Sequence, residues 1–360
     1  MNIHTNSTLS ALSSQSIIKM QQAAKAIPTL VAVFDDKAFY EKNVGSVLDV
    51  SYFKNVVRGS TLEDFTGIMA EEGPIVMLVM GKNSNPIMDA MCKTKRVQWV
   101  HSFNTGVDAF KLHTIKDSLA GIPVSNARSV FINPLAEHIV FSCLYFNRRI
   151  AQIQSNKKNK IWDRFPNHEM CRQSMGIIGY GDIAKGCAKM VRGMGMTVTG
   201  LRRSEVANGS MVDELGVTVQ TNTPDNFDRV LRESDFVLNV MPLTADNHNM
   251  FNKDVFAKMR SDAVFMNIGR GACVNEADLV EALNNNVIKG AALDVFAVEP
   301  LPESSPLWSV SDDKLMLTPH SADITHTCMR ESGEYFMELA KAFVSEGTIP
   351  KYLVDIGRGY

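Results

Sequence analysis

The chain has 360 residues and a formal net charge of −2 with no basic block, which excludes a dedicated nucleic-acid or membrane-surface binder. Its 45% hydrophobic and 21% charged residues are ordinary globular values, and at this length roughly 70–75% of the unfolded surface can be buried, enough for two cores. No apolar run approaches the ~18 residues of a membrane-spanning helix. The six scattered cysteines show no CxxC and no Cys/His ligand spacing, so free thiols in a reducing compartment are expected, with no metal site.

Residues 1–27 are set apart as a leader. The first 34 residues contain no Asp or Glu, two lysines and five serines. A disordered segment on a cytoplasmic protein is expected, with a mitochondrial or plastid transit peptide as the alternative. From Pro28 the chain turns regular. Short apolar runs at Leu30–Phe34, Ile75–Met80 and Val97–Val100, with a weaker one near Val124, alternate with helical stretches and predict a parallel sheet covered on both faces.

An apolar helix is expected from about Pro134 to Ile150, with Asn133 as N-cap and Pro134 at the first helical position. It is too hydrophobic all round to face water, so burial is expected. The polar stretch Gln154–Lys160 follows. A second series of strands is then read at Gly176–Ile178, Thr197–Gly200, Phe236–Val240, Ala263–Ile268, Gly290–Val295 and Lys314–Thr318. Six strands with intervening helices meet the requirement of a doubly wound dinucleotide domain. A last helix near Ser332–Ser345 is expected to return to the first domain. The expected division is therefore 28–127 with 325–360 as one domain and 128–324 as the other.

The segment Met175–Gly186 reads MGIIGYGDIAKG. A strand runs into Gly179, Gly181 and Ala184, a GxGxxA pattern opening a helix, so Gly179, Tyr180, Gly181, Asp182 and Ile183 are expected around a pyrophosphate. About twenty residues further on, an acid would hold the ribose of NAD, but Arg202, Arg203 and Ser204 stand there instead. Two guanidiniums offer charge-assisted bonds to a 2′-phosphate, so NADP(H) is the expected cofactor, with NAD as the alternative.

Three further segments place polar groups where apolar strands end: Asn267–Gly271 around Arg270, Asp294–Pro300 containing Glu299, and Thr318-Pro319-His320. Ligands of open α/β sheets bind beyond the carboxyl ends of strands, so these segments are expected to share one crevice. Each residue alone also has a bland reading as a surface ion pair or a backbone-satisfied histidine.

The segments NIGRGACVNEADLVEAL, AALDVFAVEPLP and TPHSA, in that order, resemble the D-isomer-specific 2-hydroxyacid dehydrogenase family. GIIGYGDIA and VMPLT are similar to its cofactor segments, and LAEHIVFSCLYFNRR to its interdomain helix. The resemblance implies two doubly wound α/β domains, a Rossmann cofactor domain plus a flavodoxin-like substrate domain, in a homodimer built across the apolar helix. It puts Arg270, Glu299 and His320 on catalytic positions: His320 as acid/base, Glu299 raising its pKa and orienting the ring, and Arg270 binding the carboxylate and polarising the carbonyl. It also implies that Met241 and Pro242 line the nicotinamide, that Asp294 and the carbonyl of Ile268 face its carboxamide, and that Asn104, Thr105 and Gly106 bind substrate. Three departures stand out: Ala184 for the third glycine, the missing ribose acid, and Asn247 where the family has threonine. His138 is read as a core or interface histidine and Cys273 as packing. The expected activity is reduction of a small 2-oxo acid such as glyoxylate or hydroxypyruvate to its D-hydroxy acid. A non-catalytic dinucleotide sensor of the co-repressor kind is the alternative, because fold alone does not prove chemistry.

Overall fold

The structure is a computed structural model describing residues 26–81, 83–348 and 352–357. The expected leader falls almost entirely outside them. The described chain divides into two compact units, one running to Val130 and resuming at His326, the other Phe131–Thr325.

The first unit holds a five-stranded parallel sheet of β1 (Thr29–Val33), β2 (Val56–Gly59), β3 (Ile75–Val79), β4 (Val97–Ser102) and β5 (Val124–Asn126). The order β2-β1-β3-β4-β5 is the flavodoxin-like 2-1-3-4-5 arrangement. β1 and β3 are buried at every residue, which is why each reads as an unbroken apolar run. β2 escapes sequence reading because it is an edge strand with Arg58 exposed. The helix His326–Glu346 belongs to this unit and is longer than the expected Ser332–Ser345.

The second unit is built on an eight-stranded sheet. Its strands are β6 (Ser174–Ile178), β7 (Thr197–Arg202), β8 (Ser210–Val212), β9 (Thr218–Thr221), β10 (Phe236–Asn239), β11 (Val264–Asn267), β12 (Gly290–Leu293) and β13 (Leu315–Leu317). The order β13-β12-β11-β10-β6-β7-β9-β8 contains the Rossmann order 3-2-1-4-5-6, extended at both edges. All pairings are parallel except β8 with β9. The six-strand expectation missed this pair, since β8 is exposed at all three residues and carries no burial signal.

One expectation about the apolar helix is corrected. It spans Ile132–Asn147, with Phe131 at the N-cap position and Asn133 inside the first turn. Proline lacks only an N–H that the first turn leaves unpaired anyway, so Pro134 locates a helix start only to within one turn. Within a single chain part of its surface is open: Phe141 is 51% exposed and Glu137 is exposed. Arg149, in the left-handed region at φ 52°, separates it from a second helix, Ile150–Asn159, formed largely by the stretch read as merely polar.

Candidate functional site

The carboxyl ends of β6, β10, β11, β12 and β13 carry the loops on which the sequence motifs lie. β6 ends at Ile178, and Gly179 turns the chain at φ 98°, a conformation that favours glycine. Its amide bonds to the Leu201 carbonyl of the neighbouring strand, holding the turn against β7. A Cβ at Gly181 would meet nothing within 4 Å, so the backbone there borders open space. The helix α1 (Asp182–Gly193) begins immediately afterwards and is closed on Ala184, which is fully buried. Bare glycine backbone ahead of a helix N-terminus fits the pyrophosphate of a dinucleotide. Tyr180 lies over Gly200 and donates its hydroxyl to Asp213 at 2.6 Å.

At the end of β7, Arg202 is half-buried and donates through Nε to the Ser204 carbonyl at 3.2 Å. Arg203 and Ser204 are exposed. No carboxylate intervenes before Glu205.

The loop after β10 is organised by Asn247, the departure that sequence reading left unexplained. Its amide donates to the Pro242 carbonyl at 2.8 Å and its Oδ1 accepts from the Thr244 amide at 2.8 Å, closing a capping box. Met241 and Pro242 are thereby fixed beyond the carboxyl end of β10. Two asparagines that sequence reading did not single out buttress this rim. Asn239 donates to Asn267 Oδ1 at 3.0 Å, and Asn267 donates to the Arg270 carbonyl at 3.1 Å. Both are fully buried. The only signal for them was a polar residue closing an otherwise apolar strand.

Arg270 is presented by an extended backbone, with Nη1 donating to the Gly269 carbonyl at 2.7 Å. A Cβ on Gly271 would fall 1.9 Å from the Phe296 carbonyl carbon, so the arginine loop rests directly on the backbone of the Glu299 loop. That second loop is pinned twice. Glu299 Oε1 accepts from the Phe296 amide at 2.9 Å, and Glu276 Oε1 accepts from the Ala297 amide at 2.7 Å.

Glu299 Oε2 lies 2.7 Å from His320 Nδ1. The hydrogen bond to Glu299 raises the His320 pKa above the ordinary imidazole value, with burial opposing it. Burial pushes Glu299 upward, but bonds from His320 and the Phe296 amide outweigh it and leave the carboxyl below its usual value. His320 sits in the left-handed region at φ 49°, a strained position for a non-glycine residue that the surrounding loop must hold. Asp294 does this. It is 2% exposed, and its Oδ1 accepts from Thr318 Oγ1 at 2.7 Å and from the Ser321 and Ala322 amides at 3.0 and 3.2 Å. Its clearest visible work is therefore to shape the histidine loop. Ile268 is buried and follows Asn267, whose carbonyl accepts from the Asp294 amide at 3.1 Å.

Asp323, a further residue that sequence reading passed over, lies within electrostatic reach of His320, Asp294 and Arg270. Burial raises its pKa above the usual aspartate value, with the positive charges of His320 and Arg270 opposing it. His138 is half-buried, its pKa lowered by burial against the opposing charge of Asp294. Cys273 is fully buried and its thiol is pushed up by that burial. Among the described residues no His/Cys/Asp/Glu group could hold a metal, and no helix is long and apolar enough to cross a membrane.

In the first unit the loop following β4 is stapled at both ends. Ser102 Oγ donates to the Asn104 carbonyl at 2.8 Å, Thr105 Oγ1 to the Ala127 carbonyl at 3.1 Å, and Asn126 Nδ2 to the Thr105 carbonyl at 2.6 Å. Among the described residues, the amides of Thr105 and Gly106 bond to no protein group. Adjacent open amides held rigid are suited to a carboxylate.

A Rossmann sheet with a glycine turn and a His–Glu–Arg cluster beyond its strand ends defines a dinucleotide-dependent oxidoreductase. Residues 140–322, just over half the chain, match the family profile described as D-isomer specific 2-hydroxyacid dehydrogenase, NAD binding domain. The chain belongs to the D-isomer-specific 2-hydroxyacid dehydrogenase family. It is 29% identical over 279 residues to glyoxylate/hydroxypyruvate reductase A of Citrobacter koseri, covering 75% of this chain and 84% of that one. It is also 29% identical over 233 residues to the glycerate dehydrogenase of Methylorubrum extorquens, covering 62% and 69%. The fold matches an NADPH-dependent glyoxylate/hydroxypyruvate reductase from Sinorhizobium meliloti solved with NADP and sulfate. That match has TM-score 0.75 and 24% identity, and covers 92% of this chain and 100% of that one.

Proposed function

We propose that the protein reduces a small 2-oxo acid, of the glyoxylate or hydroxypyruvate kind, to its D-2-hydroxy acid with NADPH. The observation that carries this reading is the 2.7 Å contact of His320 with Glu299, beside the loop that presents Arg270. A bound reduced nicotinamide would supply the hydride. The residues of the chain do the rest. Imidazolium His320 donates the proton to the developing alkoxide, with Glu299 holding Nδ1 so that Nε2 faces the substrate. Arg270 binds the carboxylate and polarises the carbonyl, stabilising charge where it develops. In the first unit, the rigid amides of Thr105 and Gly106, with Asn104 beside them, are groups suited to binding a carboxylate.

For the cofactor, the turn Gly179–Ile183 holds the pyrophosphate while Met241, Pro242, the Ile268 carbonyl and Asp294 border the nicotinamide. Arg202, Arg203 and Ser204 replace the ribose acid, and with two guanidiniums and no carboxylate the 2′-phosphate is accepted. The naming of related reductases supports NADPH.

The protein acts as a cytoplasmic homodimer joined through the helix Ile132–Asn147 and the segment after it. The supporting observation is unpartnered apolar surface there: Trp162 is 94% exposed, Ile161 55%, Phe141 51% and Ile153 43%.

The test is steady-state NADPH and NADH oxidation by purified protein over a panel of 2-oxo acids, with chiral analysis of the product. Turnover of glyoxylate and hydroxypyruvate with NADPH favoured is the expected result. Cofactor binding without turnover of any 2-oxo acid would replace this reading with that of a dinucleotide sensor.

A further inference from the structure

The proposed reaction uses Arg270, Glu299 and His320 and leaves one acidic side chain of the same cluster without a task. Asp323 follows His320 by three residues on the loop that Asp294 clamps through the Ser321 and Ala322 amides. The turn is further closed by the Ile324 amide on the Ser321 carbonyl at 3.0 Å and the Thr325 amide on the Asp323 carbonyl at 3.1 Å. The carboxyl is therefore held in place by its backbone, partly shielded from water, within electrostatic reach of Arg270, His320 and Asp294. Among the described residues no other residue donates a hydrogen bond to it. A shielded acid that no other residue's donor satisfies, set three residues from the proton-donating histidine on the loop that Asp294 clamps, has two chemical consequences. It welcomes a hydroxyl donor on the carbon next to the reacting carbonyl, and it repels a second carboxylate there.

We infer that Asp323 is a specificity residue that selects monoanionic 2-oxo acids bearing a 3-hydroxyl and rejects dicarboxylic ones. This rests on the 2-oxo acid reductase reading above. Repulsion by a fixed like charge and loss of one hydrogen bond to a charged acceptor each correspond to selectivity of roughly 10-fold or more.

The experiment measures kcat and KM for hydroxypyruvate, pyruvate and oxaloacetate, each normalised to glyoxylate, in the wild-type protein and in Asp323→Asn and Asp323→Ser. The Kd for NADPH reports that the cofactor site persists in each variant. The wild type is expected to favour hydroxypyruvate over pyruvate and to use oxaloacetate poorly. Asp323→Asn should raise the oxaloacetate ratio about 10-fold or more, mainly through KM. Asp323→Ser should do the same, so failure of one variant to fold leaves the other to decide. Equal use of oxaloacetate and hydroxypyruvate by the wild type, or unchanged ratios in a variant that binds NADPH, overturns the inference while leaving the reductase reading intact. No turnover of any 2-oxo acid by the wild type overturns both.

Discussion

Glu299 and His320 stand 21 residues apart in sequence, and their side chains meet at 2.7 Å. The contact raises the histidine pKa and lowers that of the glutamate. Reduction needs the imidazolium, so kcat/KM for reduction should be level at low pH and fall as pH rises through the raised His320 pKa. Glu299→Gln removes the largest cause of that rise, and the limb should move to lower pH. Superimposable pH–rate profiles for wild type and variant would count against the pairing. The same contact contributes stability below the unfolded histidine pKa and above the unfolded glutamate pKa, between about pH 4.3 and 6.5. Both side chains are about a third exposed or more, so the contribution is about 1 kcal/mol or less. The difference in melting temperature between wild type and Glu299→Gln should therefore be small and largest inside that window.

His320→Ala should lower kcat by about 10²- to 10⁴-fold, the range of a positioned general acid, while the Kd for NADPH stays near the wild-type value. Turnover and fluorescence titration of the same preparation check this. A variant with near-normal kcat would remove the histidine from the chemistry.

Replacing Arg202 and Arg203 together by serine should weaken NADPH by about 10-fold or more and NADH far less, since only the former carries a 2′-phosphate. Binding isotherms for both cofactors decide the matter. Equal losses would mean that the arginines act on something common to the two.

Gly271→Ala places a methyl group against the backbone of Phe296, where no side chain can yield. The Arg270 and Glu299 loops must then separate, at a cost of about 1–3 kcal/mol by analogy with overpacked cores. A lowered melting temperature together with a reduced kcat is expected. Retention of both would show that the two loops need not touch.

Strands buried on both faces were legible in sequence, because β1, β3, β10 and β11 leave unbroken apolar runs. The edge strands β2 and β8 were not: Arg58 interrupts β2, and β8 faces water along its whole length. The first helix of the second unit shows the same limit at its ends, where Pro134 marked the start only to within a turn. In the candidate site, Arg270, Glu299 and His320 stood out because they lie on segments that follow apolar strands and resemble the motifs of the family. Asn239 and Glu276 did not, since their roles consist of contacts with segments more than twenty residues away. Asn247 was visible as a departure, but its bonds to Pro242 and Thr244 had to be seen before it meant anything.

Legible in sequence alone were the alternation of the buried strands with helices, the glycine turn before α1, and the absence of an acid beside Arg202. Those features are local: they depend on periodicity, on backbone freedom and on which side chains are present. Only the tertiary structure decided that the Arg270 loop rests on the Phe296 backbone, that Asp294 is spent on shaping the His320 loop, and that Asp323 shares the site. Hydrogen bonds between distant segments and the exclusion of water around a carboxyl exist only after the sheet has brought five strand ends together.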